Sequence, residues 1–251
     1  MIDPSNPFSL KGKTILVTGA SSGIGKAIAI ACAKMGATII LNGRNIEQLN
    51  EVYKSLPKNE HKLAIADLLN RNAVTEMIKA IPSLDGLVQC AGVTNRIPCK
   101  SINQSDIDYV MKTNLEAPIL LQAELLYNKK INKSASIVYI ASRAATFPAM
   151  GNAIYSASKG ALISYAKCLA LELSSKLIRV NCICPGMVWT DMITNTIDIE
   201  NLKLAEKHYP LKRFGEADDI ANLAIYLLSD TSTWMTGVTI DISGGGEGIL
   251  K

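Results

Sequence analysis

Short runs of β-branched and aliphatic residues recur along the chain: KTILVT (13–18), ATIIL (37–41), KLAIA (62–66), GLVQC (86–90), ASIVYIA (135–141), IRVNCIC (178–184) and GVTIDI (237–242). Between them lie longer segments such as GKAIAIACAKMG, NRNAVTEMIKAI and EADDIANLAIYLLSD, whose apolar residues return at three- and four-residue steps, the period of a helix with one buried face. Apolar runs without alternation mark strands covered on both sides, and helices between them make the strands parallel. The pattern predicts a single α/β domain over residues 1–251, doubly wound, with about seven parallel strands and helices on both faces. The longest stretch without strand signal, within residues 187–212, is expected to be a mobile segment that covers the substrate.

Composition narrows the class. At 251 residues, 48% hydrophobic and 19% charged, the chain buries a large core and is not disordered. The start MIDPSNPFSL lacks the basic residues and apolar run of a signal peptide. No apolar stretch approaches the ~18 residues of a membrane span, the nearest being interrupted by Lys34 and Gly36. A cytoplasmic protein without membrane association is expected. The 6 cysteines are scattered through apolar segments and are expected to be free, mostly buried thiols of a reducing compartment. Cys182 and Cys184 have no second ligand pair, and His61 and His208 are the only histidines, so no metal is expected. A net charge of +4 is too mild to imply nucleic acid; the densest basic patch, Lys129, Lys130 and Lys133, fits a helix C-terminus.

The first strand runs into Gly19, Gly23 and Gly25, with a helix beginning near Ile24. Glycines at a strand-to-helix turn let backbone N–H groups and the helix dipole approach a phosphate. The spacing is Gly-x-x-x-Gly-x-Gly, not the more general Gly-x-Gly-x-x-Gly. GASSG (19–23) also satisfies the Gly-x-Ser-x-Gly nucleophile elbow. That reading fails because no earlier strand-to-helix loop offers an oxyanion N–H, and only His208 stands late enough to serve as base. The second strand ends in Asn42, Gly43 and Arg44, without the acid that would bind the ribose 2′-hydroxyl of NAD. Arg44 suits a 2′-phosphate, which favours NADP(H) over NAD(H). Asp67 ends the third strand and serves either the adenine amino group or a helix N-cap.

Tyr155 and Lys159 stand four apart in AIYSASKGAL, one turn apart on the same face of a helix. A phenol ordinarily titrates near pH 10, and a neighbouring ammonium lowers that value toward the working range. Ser142, at the end of the preceding strand, adds a hydrogen bond for a carbonyl oxygen. With a nicotinamide cofactor this is the equipment for hydride transfer.

TGASSGIG (18–25), Asp67, AG (91–92), TN (113–114), Ser142, YSASK (155–159) and PG followed by Thr190 together resemble the short-chain dehydrogenase/reductase family, whose fold is Rossmann-type, over essentially the whole chain. The resemblance implies that Tyr155 is the general acid or base, that Lys159 lowers its pKa and holds the nicotinamide ribose, and that Ser142 orients the carbonyl. Asn114 would hold a water linking Lys159 to solvent. Gly19, Ser21, Ser22, Gly23, Ile24, Gly25, Asp67, Leu68, Ala91, Gly92, Pro185, Gly186 and Val188 would line the dinucleotide, and Thr190 would touch its nicotinamide end. Two departures stand out: Gln89-Cys90 replaces the family's Asn-Asn, and Ser22 occupies a place that is basic in many NADP-preferring members, leaving the phosphate to Arg44.

Within the family, VWTDM and YPLKRFGEADDIANLAIYLLSD most resemble bacterial 3-oxoacyl-acyl-carrier-protein reductases. The implied substrate is a 3-oxoacyl chain on an acidic carrier, docked by Lys129, Lys130 and Lys176 or Arg179. Relatives acting on sugar acids, polyols or steroids share this tail, and a non-catalytic dinucleotide sensor is the reading from another class. Substrate choice is expected to lie in residues 93–97, 143–152 and 187–212. The resemblance also implies a homotetramer, with the small-residue face of the Tyr155 helix and the last strand at its interfaces.

Overall fold

A computed structural model describes residues 6–246. Seven strands, β1 (Thr14–Thr18), β2 (Thr38–Gly43), β3 (Lys62–Ile65), β4 (Leu84–Gln89), β5 (Ile131–Ile140), β6 (Arg179–Pro185) and β7 (Thr239–Ile242), form one sheet in the order β3-β2-β1-β4-β5-β6-β7. Every pairing is parallel. The seven sequence runs map one to one onto these strands.

Alternate strand residues serve opposite faces. Leu16, Ile40, Leu87, Tyr139 and Cys182 enter one core, against α3 (Arg71–Ala80), α5 (Ala117–Tyr127) and α6 (Ala153–Glu172). Ile15, Val17, Ile39, Val88, Val138 and Ile183 enter the other, covered by α1 (Gly23–Lys34), α2 (Ile46–Ser55) and α9 (Ala217–Leu228). The burial of both faces is the reason the inner strands β1, β2, β4 and β6 read as apolar runs, whereas the edge strands β3 and β7 are partly exposed. Helix α4 (Gln104–Met111) opens with a reciprocal cap between Asn103 and Asp106 and continues through a π-helical turn, Lys112–Glu116, into α5.

The segment expected to cover the substrate is locally structured. It carries α7 (Asp191–Thr194) and α8 (Ile199–Lys207) and has a small core of its own, Leu202, Tyr209 and Phe214, with Met187, Trp189, Ile193 and Ile197 packed against it. The Glu206 Oε1 atom accepts the Trp189 indole N–H and the Phe214 backbone N–H, both at 2.8 Å.

Two expectations about the basic residues are corrected, and the thiols are free and mostly buried as expected. Arg179 is buried and donates to the carbonyls of Leu227 and Ser229 and to Ser232 Oγ, so it is a structural brace and not a docking cation. Lys129, Lys130 and Lys176 stand where the chain enters β5 and β6, at the end of the sheet opposite its carboxyl ends. Of the six thiols, Cys32, Cys182 and Cys184 are buried and Cys90 partly so, whereas Cys99 and Cys168 are exposed.

Candidate active site

The carboxyl ends of the central strands open onto a cavity of about 410 Å³, at the point where strand order reverses about β1. Gly19 leaves β1 with φ 66°, and a Cβ there would lie 3.0 Å from the Ala91 backbone; the turns after β1 and β4 therefore touch. A Cβ on Gly25 would collide with the Gly19 carbonyl, so only glycine lets α1 begin against its own turn. Ser22, the N-cap of α1, makes no side-chain cap bond, and the first turn holds no acid. The helix N-terminus thus keeps its donors for an anion.

Asn42 at the end of β2 is buried and donates to the Ala64 and Ala66 carbonyls at 2.8 and 3.3 Å, tying β2 to β3. Gly43 and Arg44 follow on the cavity wall, facing Asp67 and Leu68. Asp67 Oδ1 accepts the Leu69 N–H at 3.0 Å, while the cap of α3 is Asn70, which accepts the Ala73 N–H at 3.1 Å. Of the two roles open to Asp67, the helix cap therefore belongs to Asn70. The wall runs from Arg44 and Asp67 past Ser21, Ser22, Gly23, Ile24, Ala91 and Gly92 to Pro185, Gly186, Val188 and Thr190. A dinucleotide fits it: open N–H donors and close backbone approach lie mid-groove, with a guanidinium at one end and titratable groups at the other.

Those groups are Ser142, Tyr155 and Lys159. Ser142 follows β5, and its Oγ accepts the Ala144 N–H at 3.1 Å while hydrogen-bonding to Tyr155. Lys159 is buried, one helical turn beyond Tyr155, with Nζ donating to the Ile140 carbonyl at 2.8 Å and lying 5.9 Å from the Tyr155 ring centroid. Burial raises the phenol above its ordinary value, and the Ser142 hydrogen bond pulls the other way. Burial also pushes the Lys159 ammonium down. The lowering of Tyr155 anticipated from the adjacent Lys159 is not found: burial is the largest influence on the phenol, and the opposing influence comes from Ser142. Cys90 and Cys184 nearby are pushed up to about 12 and about 11 by burial, so their thiols stay neutral at physiological pH.

Asn114 stands behind the cavity wall, in the π-helical turn. Its amide binds both backbone groups of Val93 and donates to Ser158 Oγ at 3.1 Å. The three stretches expected to select substrate supply Thr94, Arg96, Arg143, Phe147, Met192 and Ile193 to the cavity. Gly246 lines it from outside those stretches, and the partner of Arg143, Asp241, had no sequence signal at all.

The fold and this site define a nicotinamide-dinucleotide oxidoreductase. A family model described as "Enoyl-(Acyl carrier protein) reductase" matches residues 19–247. The chain is 35% identical to the 3-oxoacyl-[acyl-carrier-protein] reductase of Rickettsia felis over 238 residues, 95% of this chain and 98% of that one. It is 36% identical to the L-xylulose reductase of Caenorhabditis elegans over 248 residues, 96% and 98% of the two chains. A 7α-hydroxysteroid dehydrogenase solved with NADH and 7-oxo glycochenodeoxycholic acid superposes with a TM-score of 0.91 at 28% identity, covering 100% of both chains. The chain belongs to the short-chain dehydrogenase/reductase family, whose members are NAD(P)-dependent oxidoreductases. No helix of the described residues is long and apolar enough to cross a membrane.

Proposed function

We propose that the protein is an NADP(H)-dependent reductase of a 3-oxoacyl thioester, cytoplasmic and homotetrameric. One observation carries this reading: Ser142, Tyr155 and Lys159 line one cavity at the carboxyl ends of the central strands, with Lys159 one helical turn beyond a phenol that burial keeps protonated. A phenol protonated at neutral pH is the form that delivers a proton to a carbonyl oxygen. A reduced nicotinamide dinucleotide held along the wall from Arg44 to Thr190 would supply the hydride. Ser142 orients the oxygen, Tyr155 gives up its hydroxyl proton to the developing alkoxide, and Lys159, with Asn114 and a water behind it, returns a proton to Tyr155.

Arg44, with no carboxylate at the end of β2, supports NADP(H). The apolar wall of Phe147, Met192, Ile193 and Ile197 suits an acyl chain, and the Rickettsia relative bears the matching name. Leu171 at 78% exposure on α6 and the fully exposed Trp234 before β7 support burial between copies of the chain. A second reading is favoured by Arg96 in the same cavity: a keto sugar acid, whose carboxylate it would meet. Turnover of acetoacetyl-N-acetylcysteamine against 2-keto sugar acids, with NADPH and NADH, separates the two. Activity on the sugar acids alone overturns the thioester reading, and a lower KM for NADH overturns the cofactor reading.

A further inference from the structure

Residues from three strands meet beside Ser142. Arg143, its neighbour in sequence, forms an ion pair through Nη1 with Asp241 Oδ2 in β7. Asp241 registers against Cys184 of β6, and β6 lies between β5 and β7, so the pair bridges the end of the intervening strand. The same guanidinium stacks over the Phe147 ring, 3.9 Å from its centroid. The Arg143 carbonyl accepts the N–H groups of Thr146 and Phe147 at 3.1 and 2.9 Å and the Thr146 hydroxyl at 3.3 Å. Both ends of one residue thus hold the turn that carries Ser142 on one side and Phe147 on the other.

An exposed ion pair alone contributes little. Here the Arg143 side chain is only 15% exposed against 41% for Asp241, so the guanidinium is largely withdrawn from water and its charge needs a fixed partner. Its planar face is also committed to Phe147, which a lysine would not reproduce. Cavity-lining residues include Arg143, Ser142 and Phe147 but not Asp241.

We propose that Asp241 is a positioning residue for the reaction: through Arg143 it fixes Ser142 against Tyr155 and sets the Phe147 ring as a wall of the substrate pocket. The inference rests on the reading of Ser142 and Tyr155 as the reacting pair. It separates substrate from cofactor, because the brace joins the turn after β5 to β7, away from the glycine turn.

The test is steady-state kinetics of Asp241→Asn, Arg143→Gln and the double variant with the carbonyl substrate at saturating NADPH, alongside NADPH affinity by fluorescence. Asp241→Asn is expected to lower kcat/KM for the carbonyl roughly tenfold or more with NADPH affinity unchanged, and the double variant to be no worse than Arg143→Gln. Asp241→Glu, which retains the carboxylate, is expected to recover most of the loss, and Asp241→Ser, which removes it, carries the test with the same expected loss if Asp241→Asn does not fold. Wild-type kcat/KM in Asp241→Asn, or equal loss of NADPH affinity, overturns the proposal. Ser142→Ala is the reference: wild-type turnover there overturns the reading of the site itself, whereas a crippled Ser142→Ala beside an unaffected Asp241→Asn overturns only the brace.

Discussion

Asn114 clasps Val93 by both of its backbone groups: Oδ1 accepts the Val93 N–H at 2.8 Å and Nδ2 donates to the Val93 carbonyl at 2.9 Å. Val93 directly follows Gly92, where a Cβ would stand 3.2 Å from Asn114 Oδ1 and 3.5 Å from Lys159 Nζ, so this clasp sets the floor beside the lysine. Asn114→Ala strands a backbone donor and acceptor in a partly buried place. Each unsatisfied group costs about 1–3 kcal/mol, so the variant is expected to lose at least ~2 kcal/mol in urea denaturation and to turn over more slowly. A stability within error of the parent would show that the clasp is dispensable.

The raised phenol of Tyr155 has a sign that titration reads directly. Its folded value lies above its ordinary one because burial disfavours the phenolate, so the protein without cofactor keeps the phenol protonated beyond the pH at which a free tyrosine ionises. The difference in ultraviolet absorbance between the parent and Tyr155→Phe is therefore expected to show a phenolate appearing only in alkaline solution. Ser142→Ala, which removes the hydrogen bond that lowers the value, moves that rise further up. A Tyr155 phenolate at neutral pH without cofactor would contradict burial as the dominant influence. Tyr155→Phe is expected to lower kcat by about 10²–10⁴-fold.

Arg44 follows Gly43 on the cavity wall. If it grips a 2′-phosphate, Arg44→Gln forfeits a charged hydrogen bond of about 1.5–3 kcal/mol. The KM for NADPH is then expected to rise ten- to a hundredfold (on the order of 1.4 kcal/mol per factor of ten), with that for NADH almost unmoved. Parallel changes for both cofactors would instead place Arg44 in the fold of the wall.

The strands and motif residues were legible because their constraints are local. A strand buried on both faces must be apolar throughout, and a turn packed against another stretch of backbone, such as Gly19 against Ala91, admits no side chain. Partners brought together by topology were not legible. Asp241 sits in the short edge strand β7, exposed, and only the order of β5, β6 and β7 brings it to Arg143. The cap of α3 was equally hidden, since Asp67 and Asn70 both suit it chemically and only the backbone path chooses. The direction of the Tyr155 shift also escaped the sequence, which shows the adjacent lysine but not the depth of burial that sets that direction. The polar start of β5, Ile131–Ser134, carried no strand signal either; it pairs with β4 at Leu84 before the register shifts.

Glu206 governs the segment over the cavity. One carboxylate oxygen accepts from Trp189 Nε1 and from the Phe214 N–H, each at 2.8 Å, joining α8 to both sides of the bridge between Val188 and Gly215. The rings of Trp189 and Tyr209 pack on Phe214 at centroid distances of 5.3 and 4.9 Å, so the segment's small core persists when that oxygen is lost. Glu206→Ala leaves two donors without their acceptor, a local cost of about 1–3 kcal/mol each, remote from the two main cores. Hydrogen exchange is therefore expected to quicken across residues 187–214, with β1, β4 and β5 as protected as before. Substrate KM rises in step, while Glu206→Gln, which keeps an accepting oxygen, stays near the parent. Uniform loss of protection across the sheet would instead show that the segment is part of the global fold and not a separately stable cover.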